Sequence, residues 1–195
     1  MSILTDTIRK QFKEGDDIRD EGLTTPNTVQ RFDNILYGDD PEWNTMDLYI
    51  PKEEKEKLPI IISFHGGGWV YGDKERYQYY CMSLAERGFA VINFTSRLAP
   101  EFKHPAPLED MNQVAHWIMN HAKDYFLDTE HIYGVGDSAG AHLLVLYAPI
   151  LTNKEYASTY DFKVPEGFQF NALALNCGAY NIIPESELTG ALIKE

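Results

Sequence analysis

A serine flanked by glycines lies at the centre of the segment GVGDSAG, which spans residues 134–140. Gly136-Asp137-Ser138-Ala139-Gly140 fits the pattern G-x-S-x-G, in which a strand ends and a helix begins at a very tight turn. Such a turn exposes the serine hydroxyl, and the helix that follows directs its amide groups at the same place. We therefore interpret Ser138 as a nucleophile, with Gly136, Asp137 and Gly140 shaping its turn; an ordinary structural turn is the alternative.

Three consecutive glycines follow an apolar segment in IIISFHGGGW. Because glycine has no side chain, a backbone of this kind approaches a ligand closely and keeps its amide groups free to donate hydrogen bonds. We predict that Gly67, Gly68 and the Ala139 amide stabilise an oxyanion, whereas Gly66 is a less certain donor that shapes the turn. His65 precedes the glycines, and we interpret it as support for the loop rather than as a general base.

The elements that must position these residues alternate along the chain. Four segments have the continuous apolar pattern of buried parallel strands: LPIIISF, FAVINF, HIYGVG and FNALALNCG. A further strand is predicted at MDLYIP, where apolar and polar residues alternate. Helical spacing is present in KERYQYYCMSLAERG, APLEDMNQVAHWIMNHAKDYF and AGAHLLVLYAPIL. Residues 1–24 are loosely helical and predict a surface helix that packs or caps a site. The pattern predicts an α/β fold over residues 1–195, with a mostly parallel sheet and helices on both faces.

Charge and composition narrow the class of partner. The formal net charge of −13 argues against nucleic acid or an anionic membrane surface and favours an uncharged small molecule. No segment reaches about 18 consecutive apolar residues, and the first residues do not resemble a secretory signal. Cys81 and Cys177 match no metal or redox spacing. We therefore expect a cytoplasmic protein that uses no metal and no cofactor.

Four motifs in order, HGGGW, SRLAPE, HPAPLED and GDSAG, resemble the α/β-hydrolase superfamily, in particular the esterases and lipases similar to hormone-sensitive lipase. The resemblance runs from MDLYIP to LNCGAY. It implies a serine carboxylesterase in which Ser138 attacks an ester carbonyl while Gly67, Gly68 and Ala139 stabilise the tetrahedral oxyanion. Short acyl esters, including acetylated carbohydrates, are the substrates that it suggests.

The same resemblance gives Arg97, Glu101 and Asp110 structural roles beneath the loops of the site. It also places an acid and a histidine after the serine, beyond further strands. The single histidine that follows Ser138 is His142, which the helix directs into packing rather than over the hydroxyl. The other histidines after the glycine loop are expected to pack or to face solvent: His104, His116, His121 and His131.

We therefore expect a chain that stops after about the sixth strand of the family fold, lacks the general base and has little activity. An uncovered sheet edge would favour self-association. Two alternatives stay open. One is a catalytically dead binding module that kept the pocket, and the other is a structural partner chain of the same fold, completed by a second polypeptide.

Overall fold

The computed structural model describes residues 3–53 and 56–181, which form a six-stranded sheet with flanking helices. The strands are β1 (Val29–Leu36), β2 (Thr45–Pro51), β3 (Leu58–Phe64), β4 (Ala90–Phe94), β5 (Leu127–Asp137) and β6 (Ala172–Asn176). The helices are α1 (Ile3–Asp20), α2 (Lys74–Ala85), α3 (Ala106–His121), α4 (Ala139–Thr152) and α5 (Lys154–Ala157).

The sheet order is β1-β2-β4-β3-β5-β6. The first three strands in this order pair antiparallel, whereas β4, β3, β5 and β6 pair parallel. The parallel pairs align the carboxyl ends of β3 and β5, because Phe64 lies opposite Gly136. The glycine-rich segment and the serine turn, which follow these two strands, therefore begin side by side. The predicted α/β class, six-strand extent and mostly parallel order are confirmed.

Helices cover both faces of the sheet, as predicted. Because side chains alternate along a strand, Ile60 and Ile62 of β3 belong to one core cluster and Ile61 to the other. Apolar side chains of α3 and α4 fill the larger cluster, with fully buried residues such as Leu108 and Leu144. Cys81, Met82 and Ala85 of α2 fill the smaller one. Among the described residues, no helix is long and apolar enough to cross a membrane.

Two boundaries differ from the sequence prediction. The helical pattern was extended to Phe126, but α3 ends at His121, because the Asp124 N–H turns back to the His121 carbonyl and Phe126 has a φ of 55°. Strand β5 then begins at Leu127, before the predicted segment HIYGVG. His131 consequently lies within this strand, where its Nδ1 is 2.7 Å from an Asp128 carboxylate oxygen.

Burial of β6 also differs. The apolar segment FNALALNCG predicts a buried strand, but the residues of β6 alternate between exposed and half-buried. Strand β5 pairs with one edge of β6, and no residue that the structure describes pairs with the other edge. The side chains of β6 therefore remain accessible although their composition is apolar.

A buried carboxylate holds the loops after β4. Asp110 is fully buried and accepts hydrogen bonds from the backbone N–H of Arg97 at 2.7 Å, from its Nε at 2.8 Å and from Asn44 Nδ2 at 3.2 Å. Arg97 Nη2 also donates to the half-exposed Glu109 at 2.8 Å. Glu101 pairs with Arg9 of α1 instead, at 2.7 Å. Arg97, Glu101 and Asp110, the three residues expected to have structural roles, thus all make structural contacts.

Replacing Asp110 tests this arrangement. We expect Asp110→Ala to lower the free energy of unfolding by about 3 kcal/mol, because it leaves the Arg97 amide and guanidinium without their buried acceptor. Glu109→Ala is the matched control and is expected to cost less than about 1 kcal/mol, because that ion pair is exposed to solvent. Urea unfolding followed by circular dichroism measures both values, and equal costs would contradict the assignment.

Candidate active site

Ser138 occupies the junction between β5 and α4. Its φ of 49° and ψ of −112° place it in a region that residues with side chains rarely adopt. Such a conformation costs on the order of 1–3 kcal/mol and persists only where the surroundings enforce it. The Ser138 N–H donates to the Asn176 carbonyl at 2.8 Å, which ties the strained residue to the end of β6.

Two glycines make this turn possible. A Cβ at Gly136 would lie 2.7 Å from the carbonyl carbon of Gly140, so the strand and the helix approach too closely for any side chain. A Cβ at Gly140 would overlap the carbonyl oxygen of Phe64 and lie 2.6 Å from that of His65. The start of α4 therefore packs directly on the end of β3, as the predicted turn requires.

The glycine loop, residues 66–68, follows β3 and contains two left-handed residues. Gly67 has a φ of 119° and Gly68 a φ of 61°, and a Cβ at Gly67 would overlap the carbonyl oxygen of Tyr71. That segment turns sharply, because the Gly67 carbonyl accepts the N–H groups of Val70 at 3.3 Å and Tyr71 at 3.0 Å. Trp69 also has a positive φ of 65°.

Three amides remain available around this junction. The N–H groups of Gly67, Gly68 and Ala139 donate to no residue that the structure describes. Ala139 is the first residue of α4, where backbone N–H groups lack intrahelical acceptors and the helix dipole is positive. Gly67 and Ser138 line the same cavity. Gly68 and Ala139 directly follow these two residues, so free donors from two separate segments lie near Ser138, which suits an oxygen that gains negative charge.

The Gly66 N–H is engaged within the protein, so Gly66 shapes the turn and is not available as a fourth donor. Its N–H donates to the Tyr77 hydroxyl at 2.9 Å. Its carbonyl lies 2.9 Å from Nδ1 of His65, whose Nε2 lies 3.0 Å from Oγ of Ser96. His65 is 3% exposed, and burial lowers the pKa of its imidazole, so the ring is neutral. With both ring nitrogens engaged, His65 occupies a supporting position under the loop.

No histidine side chain forms a hydrogen bond with the Ser138 hydroxyl, although the His142 N–H donates to the Ser138 carbonyl at 3.1 Å within the helix. The Ser138 hydroxyl forms no hydrogen bond with any described residue, and all six histidines are described. His142 Nδ1 instead accepts from the Trp69 indole at 3.3 Å, and burial lowers its pKa. The remaining histidines contact Tyr160 (His104), the Lys163 carbonyl (His116), the Trp117 ring (His121) and Asp128 (His131). Within the described ranges, no cluster of histidine, cysteine and acidic residues could hold a metal.

Helix α1 lies over the glycine loop. Asp16 accepts the Tyr71 hydroxyl at 2.8 Å, and Asp17 pairs with Arg76 of α2 at 2.7 Å. A cavity of about 390 Å³ lies between this helix and the nucleophile turn, residues 136–140. Its lining is polar and apolar in similar measure: Gln11, Phe12, Gly15, Asp16, Arg19, Gly66, Gly67, Tyr71, Tyr77, Asp137 and Ser138. The predicted amino-terminal helix therefore forms one wall of the site.

A second cavity of about 370 Å³ lies beyond Trp69 and is largely apolar. Its walls are Trp69, Ala99, Phe102, His104, Pro107, His142, Leu143, Leu146, Tyr156 and Tyr160. Trp69 directly follows the glycine loop, and His142 lies one helical turn after Ser138. The nucleophile turn thus lies near two cavities, one lined by polar and apolar groups and the other largely apolar.

Sequence comparison identifies the family of this chain. The BD-FAE family profile matches residues 46–189, which include the glycine loop and the nucleophile turn. The chain belongs to the BD-FAE family. Its fold is that of the α/β-hydrolases, and the family's relatives are esterases of the group similar to hormone-sensitive lipase.

Individual relatives of this BD-FAE chain are named as esterases. It is 36% identical over 102 residues to the versiconal hemiacetal acetate esterase of Dothistroma septosporum, which covers 52% of this chain and 31% of that protein. It is 30% identical over 150 residues to a probable isoprenylcysteine alpha-carbonyl methylesterase of Arabidopsis thaliana, covering 77% of this chain and 31% of the relative.

Among solved structures, esterase B from Lactobacillus rhamnosis superposes with a TM-score of 0.90 and 28% sequence identity. The match covers 97% of this chain and 62% of esterase B. A bacterial heroin esterase, at 24% identity and a TM-score of 0.71, shares the fold. The BD-FAE chain therefore spans less than two thirds of the length of the relatives that it matches.

Sequence reasoning missed Tyr77, Trp69 and the contacts of α1. Tyr77 belongs to no motif and reaches Asp137 from 60 residues away in the chain. Its position directly after the three glycines is the signal that could have indicated Trp69. The charges of α1 were visible in the sequence, but nothing local indicates which loops they contact.

The two left-handed glycines give a prediction that does not depend on catalysis. We expect Gly67→Ala to lower the free energy of unfolding by about 3 kcal/mol, because the new methyl group overlaps a backbone carbonyl at an unfavourable φ. Gly68→Ala meets no neighbouring atom and is expected to cost only about 1–2 kcal/mol for its φ. Gly15→Ala, in the exposed helix α1, is the control and should stabilise slightly. Thermal unfolding that ranks Gly68→Ala as the most costly change would contradict this loop geometry.

Proposed function

We propose that the chain is the nucleophile-bearing part of a serine carboxylesterase that hydrolyses short-chain acyl esters by acyl transfer. One observation carries the proposal. Ser138 is held in a strained turn beside a cavity, while the N–H groups of Gly67, Gly68 and Ala139 have no acceptor in the described protein. Unpaired amides near a serine that lines a cavity match the needs of an acyl transfer reaction better than those of passive binding.

The reaction follows from this geometry. Ser138 Oγ attacks the carbonyl carbon of the ester, its proton passes to a general base, and the carbonyl electrons move onto the oxygen. The three amides stabilise that oxyanion. Collapse of the tetrahedral intermediate breaks the bond to the alcohol oxygen, which takes the proton from the base and leaves an acyl-serine. Water then attacks the acyl carbon, returns the proton through the same base and releases the acid and Ser138.

In this proposal, none of the six described histidines is the general base that deprotonates Ser138. His65 has both ring nitrogens engaged, and His142 receives the Trp69 indole N–H. We place the acid and histidine in the part of the esterase relatives that this chain does not span, consistent with its coverage of 62% of esterase B. The 195 residues alone are then expected to have little activity.

The two cavities support an uncharged organic ester as substrate. Gln11, Asp16 and Tyr71 line the space beside Ser138 and offer hydrogen bonds to an alcohol that carries hydroxyl groups, such as an acetylated carbohydrate. The apolar space beyond Trp69 suits an acyl group. Esterase B has been solved in a tributyrin phosphonate-inhibited form, which supports short acyl chains for its relatives.

Joining this chain to the carboxyl-terminal part of esterase B tests the proposal. We expect the joined protein to hydrolyse p-nitrophenyl acetate, because the nucleophile and the oxyanion donors are already present. Ser138→Ala should lower kcat by about 10⁴-fold or more, since the nucleophile is lost. Ser158→Ala, at an exposed serine of another helix end, should leave the rate unchanged. The measurement is release of p-nitrophenol in the visible spectrum.

A different outcome would favour the alternative reading. If the joined protein folds cooperatively and binds short esters but shows no Ser138-dependent hydrolysis, the chain is a binding module that retained the pocket. Hydrolysis at ordinary esterase rates by the 195-residue chain itself, abolished by Ser138→Ala, would instead show that a described residue supplies the base.

We also propose that β6 makes the isolated chain self-associate. The outer edge of β6 pairs with no described residue, and an apolar cavity lined by Tyr80, Leu84, Phe89 and Leu173 opens beside it. Unpaired strand edges template further pairing.

Sedimentation velocity at micromolar concentrations should show species larger than the 22.3 kDa monomer. Ala174→Lys on β6 should shift the population toward the monomer, because a charged side chain on an edge strand opposes pairing. Thr152→Lys, exposed at the end of α4, is the control of equal charge and should not change the distribution. A monodisperse monomer for the unmodified chain would overturn the proposal.

A further inference from the structure

Tyr77 connects the two segments that form the candidate site. It lies in the first half of α2 and belongs to neither sequence motif. Its hydroxyl accepts the Gly66 N–H at 2.9 Å and donates to Asp137 Oδ1 at 2.7 Å. Gly66 begins the glycine loop and Asp137 directly precedes Ser138. The Tyr77 side chain, which belongs to α2, therefore connects Gly66 of the glycine loop with Asp137 of the nucleophile turn.

The main chain does not provide this connection by itself. Backbone pairing between β3 and β5 ends at Phe64 and Gly136. Beyond these residues, no backbone hydrogen bond within the described ranges joins the glycine loop to the nucleophile turn. The donors Gly67 and Gly68 lie on one side of this gap and Ala139 on the other. Their separation depends on whatever holds the two segments together after the strands end.

The peptide groups on both sides of Gly66 are fixed. Tyr77 holds its N–H, and His65 Nδ1 lies 2.9 Å from its carbonyl oxygen. A Cβ at Gly66 would lie 2.6 Å from Asp137 Oδ2, so this part of the loop already touches the nucleophile turn. Because Gly67 follows directly, the orientation of its N–H depends on the peptide that Tyr77 and His65 hold.

The bridge depends on the Tyr77 hydroxyl. This group accepts from an amide and donates to a carboxylate at the same time, which a phenyl ring cannot do. Burial and the charge of Asp137 raise the pKa of the Tyr77 phenol above its ordinary value. Tyr77 therefore keeps its proton at neutral pH and can donate it to Asp137 while it accepts the Gly66 N–H.

We propose that Tyr77 is a positioning residue of this site, which sets the distance between the amides of the glycine loop and the amide of Ala139. The inference rests on the proposed esterase function. Its ring lines the cavity beside Ser138, but its hydroxyl is engaged by Gly66 and Asp137 rather than directed at substrate. Preorganised donors stabilise a transition state only when they are held close to the productive geometry, and Tyr77 supplies that constraint.

The first experiment needs no catalysis and uses the 195-residue chain with glycine labelled by ¹⁵N. We expect Tyr77→Phe to accelerate hydrogen exchange of the Gly66 amide about fivefold, which is the loss of one hydrogen bond of about 1 kcal/mol. Its amide proton should also shift upfield. Tyr79→Phe is the matched control, because Tyr79 lies on the same helix and its hydroxyl bonds to no described residue. An unchanged Gly66 amide in Tyr77→Phe would overturn the bridge.

The second experiment measures catalysis in the joined protein. Tyr77→Phe is expected to lower kcat for p-nitrophenyl acetate about 10- to 100-fold while KM changes less than about twofold, because donors to the transition state are displaced. Asp137→Ala should reduce kcat similarly, and the double variant should be no slower than either single one, since both changes break the same bridge. Tyr79→Phe should keep full activity.

These results separate the two proposals. Additive losses in the double variant, or an effect confined to KM, would overturn the positioning role of Tyr77. Absence of Ser138-dependent hydrolysis in the unmodified joined protein would instead overturn the esterase function, while the exchange of the Gly66 amide would still report whether Tyr77 holds the loop.

Discussion

The site depends on one close contact, that of Gly140 against the carbonyl oxygens of Phe64 and His65. Because neither Gly136 nor Gly140 has a side chain, α4 begins directly on the end of β3. This proximity forces Ser138 into its left-handed conformation and brings the positive end of the helix beside the glycine loop. Any side chain at either glycine would push the helix away and separate the nucleophile from the donors.

The glycine loop is held by neutral groups. His65 is buried and uncharged, and its two nitrogens contact Gly66 and Ser96. Tyr77 retains its proton and contacts Gly66 and Asp137. A titrating support beside the oxyanion would change the local potential with pH, whereas buried, paired neutral groups do not. The glycine loop is thus held by neutral side chains, and the acidic Asp137 contacts Tyr77.

The sequence predicted the parts of the site that local constraints determine. Two glycines around a serine at the end of an apolar strand permit few backbone paths, and three glycines after another strand permit a close approach to a ligand. The alternation of strands and helices likewise predicted the sheet. The end of α3 and the start of β5 were not predicted, because a turn at Phe126 interrupts a continuing helical pattern.

Contacts between distant segments could not be predicted in this way. Tyr77 meets Asp137 across 60 residues, and Arg9 meets Glu101 across 92. Each tyrosine or arginine had many possible partners in the chain, and only the folded sheet and the position of α1 select one. Gly66 illustrates the consequence, because its local sequence predicts a tight turn but not the Tyr77 hydroxyl of α2 that accepts its N–H.

In the proposed esterase, the described residues form the part of the site that must be rigid. Oxyanion donors act through fixed positions, and the positions of the proposed donors follow from the sheet, two glycines and a bridging hydroxyl. A general base has a weaker requirement, since it needs one hydrogen bond to Ser138 Oγ and a partner that orients its ring. It can be supplied by a segment that packs on the finished scaffold. The strain at Ser138 and the unpaired amides exist without any contacting imidazole among the described residues, so this half of the site is organised by the fold itself.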